Sequence, residues 1–287
     1  MYSKARVIAE IGCNHRGDLE VAKEMIRSAK LFCEADVIKF QKRHNKELLS
    51  EEEYNTPHPN PRNSYGDTYG AHREFLEFDQ AQHAELQKFC EEVGIEYSTS
   101  VWDLTSAKEI AELNPNLIKI PSACNLRFDI LEHLAKHYNG EIHVSLGMTS
   151  KDEQQKIVDF LVEHDRAKDT VLYACTSGYP VDAEDVCLLE IVRLKKEYGD
   201  IVKHIGFSGH HLGISLDIAA YTLGAEYIER HFTLNRAWKG TDHSASLEPE
   251  TLRRLTRDLE SVRKALAYKE TDILPVEEVQ RKKLKRL

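Results

Sequence analysis

Short apolar runs and longer stretches of helical period alternate along the chain. Runs rich in Val and Ile occupy residues 7–12, 37–42, 95–100, 117–122, 141–147, 171–177, 204–209 and 225–232, each bounded by Gly, Pro or polar residues. Near-continuous apolarity over so few residues is the pattern of parallel strands buried on both faces. Between the first two runs, residues 19–33 place Val21, Ala22, Met25, Ile26 and Ala29 on one helical face. Residues 82–93, 106–113, 128–138, 151–164, 183–198, 214–223 and 249–266 repeat that period, and Gly94, Gly140, Gly199 and Gly224 stand where helices should stop. Ser150, ahead of Lys151-Asp152-Glu153, is a helix-start signal. Eight strands and eight helices in alternation leave an open doubly wound sheet or a closed barrel. A doubly wound dinucleotide fold opens with G-x-G-x-x-G after its first strand, and here that turn reads Gly12-Cys13-Asn14-His15-Arg16-Gly17. The expected fold is therefore α/β, a (β/α)8 TIM barrel over residues 1–268.

Two segments depart from the alternation. Residues 45–79 form a long polar insertion holding Pro57, Pro59 and Pro61, then Tyr65, Gly66, Tyr69 and Gly70. Prolines so closely spaced exclude a helix there. Loops this long inside a compact domain commonly serve function, and this one carries Tyr65, Tyr69, His72 and Arg73, so it is expected to be a lid. Residues 269–287 carry a Leu274-Pro275 break and a basic end, and read as a solvated tail or linker.

Composition narrows the function classes. The chain has 287 residues, with 39 Lys plus Arg against 48 Asp plus Glu, so the net charge is 39 − 48 = −9. No basic stripe is available for nucleic acid, and no apolar run approaches the roughly 18 residues of a membrane span. The first residues run straight into a strand without a signal-like apolar region, and the six cysteines include no C-x-x-C pair. The expectation is a cytoplasmic protein with free thiols.

Barrel active sites lie at the C-terminal ends of the strands, and polar residues recur there. The set is Glu10 with Asn14 and His15; Lys39 and Gln41; Ser98, Thr99 and Ser100; Lys119 and Ser122; Thr176, Ser177 and Tyr179; Ser208, His210 and His211; Glu229 and His231. Period two puts Lys39 with Gln41 on one face, and Glu229 with His231 on another. A lone inward lysine is accounted for by an ion pair such as Lys39–Glu10. Two of them among hydroxyls read better as a site for phosphate and carboxylate. His210 or His211, with His231 on the next strand, can reach one metal ion while leaving open positions for water or substrate. His83, His133, His137 and His164 read as core or surface residues.

Several segments resemble the sialic acid synthase family: Ile8 to Asp18, Ile38-Lys39-Phe40-Gln41, Ile118 to Ser122, Cys175 to Pro180, Gly206 to His210, Glu229 to Thr233 and Gly240 to Leu247. The resemblance runs from about Val7 to Leu266 in the family's order. It implies an enzyme, a C–C bond-forming transferase that condenses phosphoenolpyruvate with an aldehyde sugar. The sugar would be of N-acylmannosamine or mannose type, with or without a 6-phosphate. The products would be a sialic-acid-like 2-keto-3-deoxy nonulosonic acid and phosphate. It further implies a divalent metal held by His210 and His231, usually manganese, with magnesium or cobalt as alternatives. Phosphoenolpyruvate contacts map onto Lys39, Thr99 (or Ser100), Lys119, Ser122, Ser177 and Ser208, and sugar contacts onto Gln41, Tyr179 and Asp242. Glu10, Lys39, Lys119, Glu229 and Asp242 take catalytic places, with Glu10 and Glu229 as proton-transfer candidates. A homodimer is implied as well.

Departures from the family pattern are specific. Where a carboxylate follows the Ile-Pro-Ser serine by two residues, this chain has Cys124, and the Asp preceding the strand-7 histidine is Gly209. The family continues into a small antifreeze-like domain that gives an arginine to its neighbour's sugar site, whereas this chain ends near the linker to it. The lid, through Arg73, is expected to take over sugar recognition if that domain is absent. Competing expectations are a related synthase making a shorter 3-deoxy-ulosonic acid, a metal-dependent sugar isomerase, and a catalytically altered barrel serving as a binding subunit.

Overall fold

A computed structural model describes residues 2–285. Eight parallel strands close into one barrel in sequence order. They are β1 (Arg6–Gly12), β2 (Val37–Lys42), β3 (Glu96–Val101), β4 (Leu117–Ile120), β5 (Glu141–Ser145), β6 (Thr170–Cys175), β7 (His204–Gly209) and β8 (Tyr227–His231). β1 closes the ring on β8 with Arg6 opposite Tyr227 and Glu10 opposite His231. The expected barrel is the observed one. The strands expected to reach 122, 147, 177 and 232 end one or two residues earlier, because the chain there leaves the sheet to form the rim of the cavity.

The main helices form the outer layer. They are α1 (Leu19–Arg27), α5 (Gln80–Val93), α6 (Leu104–Leu113), α7 (Phe128–His137), α8 (Lys151–Glu163), α9 (Leu189–Tyr198), α10 (Ser215–Thr222) and α11 (Pro249–Ala265). α1 starts where the Asp18 carboxylate accepts from the Glu20 and Val21 N–H groups, and it buries Ala22, Met25 and Ile26. Each such long side chain contributes about 1.5–3 kcal/mol when fully buried. α5 is opened by a reciprocal Asp79–Gln82 capping box and closed by Gly94 in the left-handed region, at φ 80°. The helix expected from residue 183 begins only at Leu189, because Ala183–Asp185 form a 3-10 turn. The Ser150 start signal is a capping box with Glu153.

The barrel's interior has two halves. Near the N-terminal ends of the strands, Ile8, Val37, Leu117, Val171, Tyr173 and Tyr227 pack as an apolar plug. Above them the inward positions become charged. This division gives the cavity a closed floor.

The insertion is more regular than expected. It contains α2 (Asn45–Leu48), α3 (Glu51–Asn55), a 3-10 turn at Pro61–Asn63 and α4 (Tyr69–Phe75). The proline-rich stretch itself stays non-helical, but Tyr69 and Gly70 begin a helix, contrary to the sequence expectation, because the Thr68 hydroxyl caps the Ala71 N–H. The tail also holds a helix, α12 (Pro275–Leu284), with no buried residue. The expected tail's last two residues, Arg286 and Leu287, lie outside the described residues, as does Met1.

Candidate active site

Four buried titratable side chains make the floor of a cavity of about 410 Å³ at the C-terminal end of the barrel. Register brings them together: Glu10 lies opposite Lys39, and Ser208 opposite Glu229. Lys39 is ion-paired with Glu10, donates to the Ser100 hydroxyl at 2.7 Å, and stands 3.8 Å from Glu229. Lys119 donates to Glu229 at 3.1 Å, and its ammonium sits 3.3 Å from the centre of the Tyr173 ring. The Ser208 hydroxyl donates to the other Glu229 oxygen at 3.0 Å. The Lys39–Glu10 pairing expected as one reading is thus present, but it is part of a cluster of four titratable groups open to a cavity.

The two carboxylates differ. Burial pushes the Glu10 carboxyl up, Lys39 opposes this, and the Glu229 charge adds to it. Burial also disfavours the charge on Glu229, but Lys119 and Lys39 outweigh it and hold that carboxyl well below the usual range. Burial lowers the Lys119 pKa against the pull of Glu229. One carboxyl is set to hold a proton while the other stays ionised, the division of labour acid–base chemistry needs.

Hydroxyls ring the floor. Ser100, Ser122, Ser145, Ser177 and Ser208 all line the cavity. The Ser177 hydroxyl is buried without a hydrogen-bond partner, which in a native site calls for a ligand. A Cβ at Gly147 would lie 2.6 Å from both the Ser122 and Ser177 hydroxyl oxygens, so only glycine leaves those oxygens in place.

Two imidazoles stand at the edge, with ring centres 5.4 Å apart. His210 Nδ1 is 3.0 Å from the Thr176 carbonyl, which leaves Nε2 with its lone pair. His231 Nδ1 is buried and unpartnered. Burial lowers the pKa of both, His210 to about 4 with His231 assisting, so both are neutral near pH 7. His211 is excluded as the alternative: it is buried against Asp217 and Arg230 and does not line the cavity. Among the described residues no group of three or more His, Cys, Asp or Glu side chains is arranged to hold a metal.

The insertion forms the outer wall. Tyr69, His72 and Arg73 of α4 line the cavity with His58, Arg43 and Trp102. Arg43 pairs with Glu77 and donates to the Cys13 thiol at 2.9 Å. Burial pushes that thiol up to about 12, so Cys13 is neutral.

Of the residues singled out from sequence, Glu10, Lys39, Gln41, Arg73, Lys119, Ser122, Ser177, Tyr179, Ser208, His210, Glu229, His231 and Asp242 line this one cavity. Thr99 does not, whereas Ser100, the alternative read beside it, does. Thr99 pairs in register with Phe40, and its hydroxyl donates to Tyr97 in the helix-facing layer, so period two turns Ser100 inward instead. Cys124 also stands back from the cavity, donating to the Trp102 carbonyl at 3.0 Å, while Ala123 faces in. Arg43, Trp102, Ser145 and Cys175 were missed. Each lies within one residue of a strand's C-terminal end, the signal that would have found them.

The family model described as the NeuB family matches residues 25–271. This chain belongs to the NeuB family. Human N-acetylneuraminate-9-phosphate synthase is 42% identical over 276 residues, spanning 94% of this NeuB-family chain and 74% of the human one. N,N'-diacetyllegionaminic acid synthase of Campylobacter jejuni is 32% identical over 264 residues, spanning 92% and 78%. The crystal structure of the N-acetylneuraminic acid synthetase of Leptospira borgpetersenii, in complex with citrate, superposes with a TM-score of 0.81 at 27% identity, covering 99% of this chain and 94% of that one. The family read from the motifs and the barrel read from the periodicity both stand. No helix among the described residues is long and apolar enough to cross a membrane.

Proposed function

We propose that this NeuB-family chain condenses phosphoenolpyruvate with the aldehyde of an N-acylmannosamine-type sugar. The methylene carbon of phosphoenolpyruvate bonds to the aldehyde carbon, and the aldehyde oxygen takes up a proton. Water adds at the adjacent, phosphate-bearing carbon, whose C–O bond to phosphate then breaks, leaving a 2-keto-3-deoxy nonulosonic acid and phosphate. The observation that carries this reading is the floor: two inward lysines and a ring of hydroxyls, one of them without a partner, around carboxylates of opposite protonation tendency. Lys39 and Lys119 offset the charge of phosphoenolpyruvate, and Ser100, Ser122, Ser177 and Ser208 supply directional donors. Glu10 holds a proton available to the developing alkoxide, and ionised Glu229 keeps both ammonium groups in place. Gln41, Tyr179 and Asp242 face the sugar side of the cavity.

A divalent ion, manganese by the family resemblance, fits His210 and His231: both are neutral, one has its Nδ1 anchored, and the other has a buried ring nitrogen without a partner. Bound there, it would polarise the aldehyde oxygen. The working form is a homodimer of a cytoplasmic enzyme.

The test is phosphate release from phosphoenolpyruvate with manganese across N-acetylmannosamine, its 6-phosphate, mannose, mannose 6-phosphate and arabinose 5-phosphate, with an EDTA control. Release dependent on a mannosamine-type sugar and on metal is expected. Release driven best by arabinose 5-phosphate would reassign the enzyme to shorter ulosonic acids, and absence of phosphoenolpyruvate binding would sink the synthase reading.

A further inference from the structure

Arg73 of α4 is out of balance with its surroundings. It is only 7% exposed, yet among the described residues no carboxylate pairs with it and its Nε has no acceptor. Its guanidinium carbon lies 5.5 Å from the centre of the Tyr69 ring and 5.8 Å from that of Trp102, so two aromatic faces fix it while satisfying none of its N–H groups. Arg43 shares the Trp102 ring, at 5.6 Å. Glu77, the nearby carboxylate, is already paired with Arg43. Cys13 and Cys124 are neutral, their thiols pushed up by burial to about 12 and about 11. Arg73 therefore has no carboxylate within ion-pairing distance among the described residues; the Asp242 carboxylate lines the same cavity but is paired with neither arginine. A buried unpaired charge is disfavoured unless a ligand completes it.

We propose that Arg73 binds a phosphate monoester on the sugar, making this lid the element that selects phosphorylated over free aldehyde sugars. The inference rests on the synthase reading above and names its substrate class. Phosphoenolpyruvate's own phosphate and carboxylate are answered at the floor by Lys39, Lys119 and the serines, so an anion at the opposite wall of the same cavity belongs to the second substrate. A planar guanidinium with free N–H groups suits phosphate oxygens in a bidentate pair. His72 completes the wall. Its Nδ1 accepts the Tyr65 N–H at 3.1 Å, and burial, with His58 next, lowers its pKa to about 4. It is therefore neutral with Nε2–H as a donor, and it lines the cavity.

The experiment compares the native enzyme with Arg73→Ala and Arg73→Lys, measuring kcat and KM with N-acetylmannosamine 6-phosphate, with the free sugar and with phosphoenolpyruvate. The native enzyme is expected to favour the phosphorylated sugar. Arg73→Ala should lower kcat/KM for that sugar about 100-fold, mostly through KM, as expected for loss of a charge-assisted bidentate contact. KM for phosphoenolpyruvate should stay within about twofold, and kcat/KM for the free sugar should fall far less than that for the phosphate ester, so that the preference between the two sugars collapses. Arg73→Lys should recover part of the loss. Equal use of the two sugars by the native enzyme, or a variant that loses activity on both alike, overturns the proposal, and so does a variant that raises KM for phosphoenolpyruvate instead. If no sugar is turned over at all, the synthase reading has failed, and calorimetry then decides this inference separately. Titration of mannose 6-phosphate and of mannose, without turnover, should show binding of the phosphate ester alone, lost in Arg73→Ala. Equal binding of both, or of neither, overturns it.

Discussion

Glu10 and Glu229 face the same two lysines from adjacent strands, yet their protons behave oppositely. Glu10's carboxyl is pushed up from 4.5 to about 8, chiefly by burial. The sign for stability follows from proton counts. Between about pH 4.5 and 8 the folded chain holds a proton on Glu10 that the unfolded chain has lost, so its contribution falls as pH rises through that window. Glu229, held below its ordinary value, contributes above 4.5 and loses that contribution in acid. We expect kcat to fall as pH rises through about 8. In Glu10→Gln the rate should drop about 100-fold and lose that alkaline limb; a retained limb would assign the ionisation elsewhere. Lys119→Met strands the Glu229 charge, and urea unfolding should show a loss of about 3–5 kcal/mol. Adding Glu229→Gln should restore most of it, because the cost is the unpaired charge rather than the missing bond. Thr99 belongs at this scale too. Three consecutive polar residues, Ser98-Thr99-Ser100, all read as candidates in sequence; period two turns Thr99 away, and Ser98 lies a layer below Ser100 and donates to the Leu117 carbonyl, so Ser100 alone of the three lines the cavity.

Among the elements, the lid was the least legible. Its helices α2, α3 and α4 run four, five and seven residues, below the length at which helical period shows in a sequence. Their caps were visible as residue types, Ser50 with Glu53 and Thr68 before Ala71, but a cap without a periodic stretch behind it is a weak signal. Long-range contacts fix the lid instead. Tyr65 donates to the Lys239 carbonyl at 2.5 Å and stacks on Phe75 with ring centres 4.9 Å apart. Gly70 lets α4 lie directly on α3, since a Cβ there would come 2.2 Å from the Tyr54 ring. Gly70→Ala must push α4 away and displace Tyr69, His72 and Arg73 with it. Limited proteolysis should then cut within residues 45–79 several times faster and the sugar KM should rise about tenfold, while the Tm of the barrel stays within a few degrees. An unchanged sugar KM would show that the lid does not set sugar binding.

At the scale of the whole molecule, the barrel and the location of its site were legible because both follow from local patterns. Eight apolar runs with helical spacers define the closure, and polar residues near the strand ends define the mouth. How the charges are paired was not legible, because it depends on register between strands far apart in sequence, such as Lys119 with Glu229 across 110 residues. The same register separates an apolar lower interior, built by Ile8, Val37, Leu117, Val171, Tyr173 and Tyr227, from a charged upper one. The plug satisfies every requirement of a barrel core. The charged layer carries a desolvation cost for four groups that are each no more than 7% exposed, and that cost is met for the chemistry rather than for the fold. A variant replacing Glu10 and Glu229 with Leu, and Lys39 and Lys119 with Met, should therefore be inactive but at least as resistant to urea as the native protein, with no charge of this cluster left to strand. A midpoint lowered by the full loss seen in Lys119→Met would mean instead that the four charges hold the barrel closed.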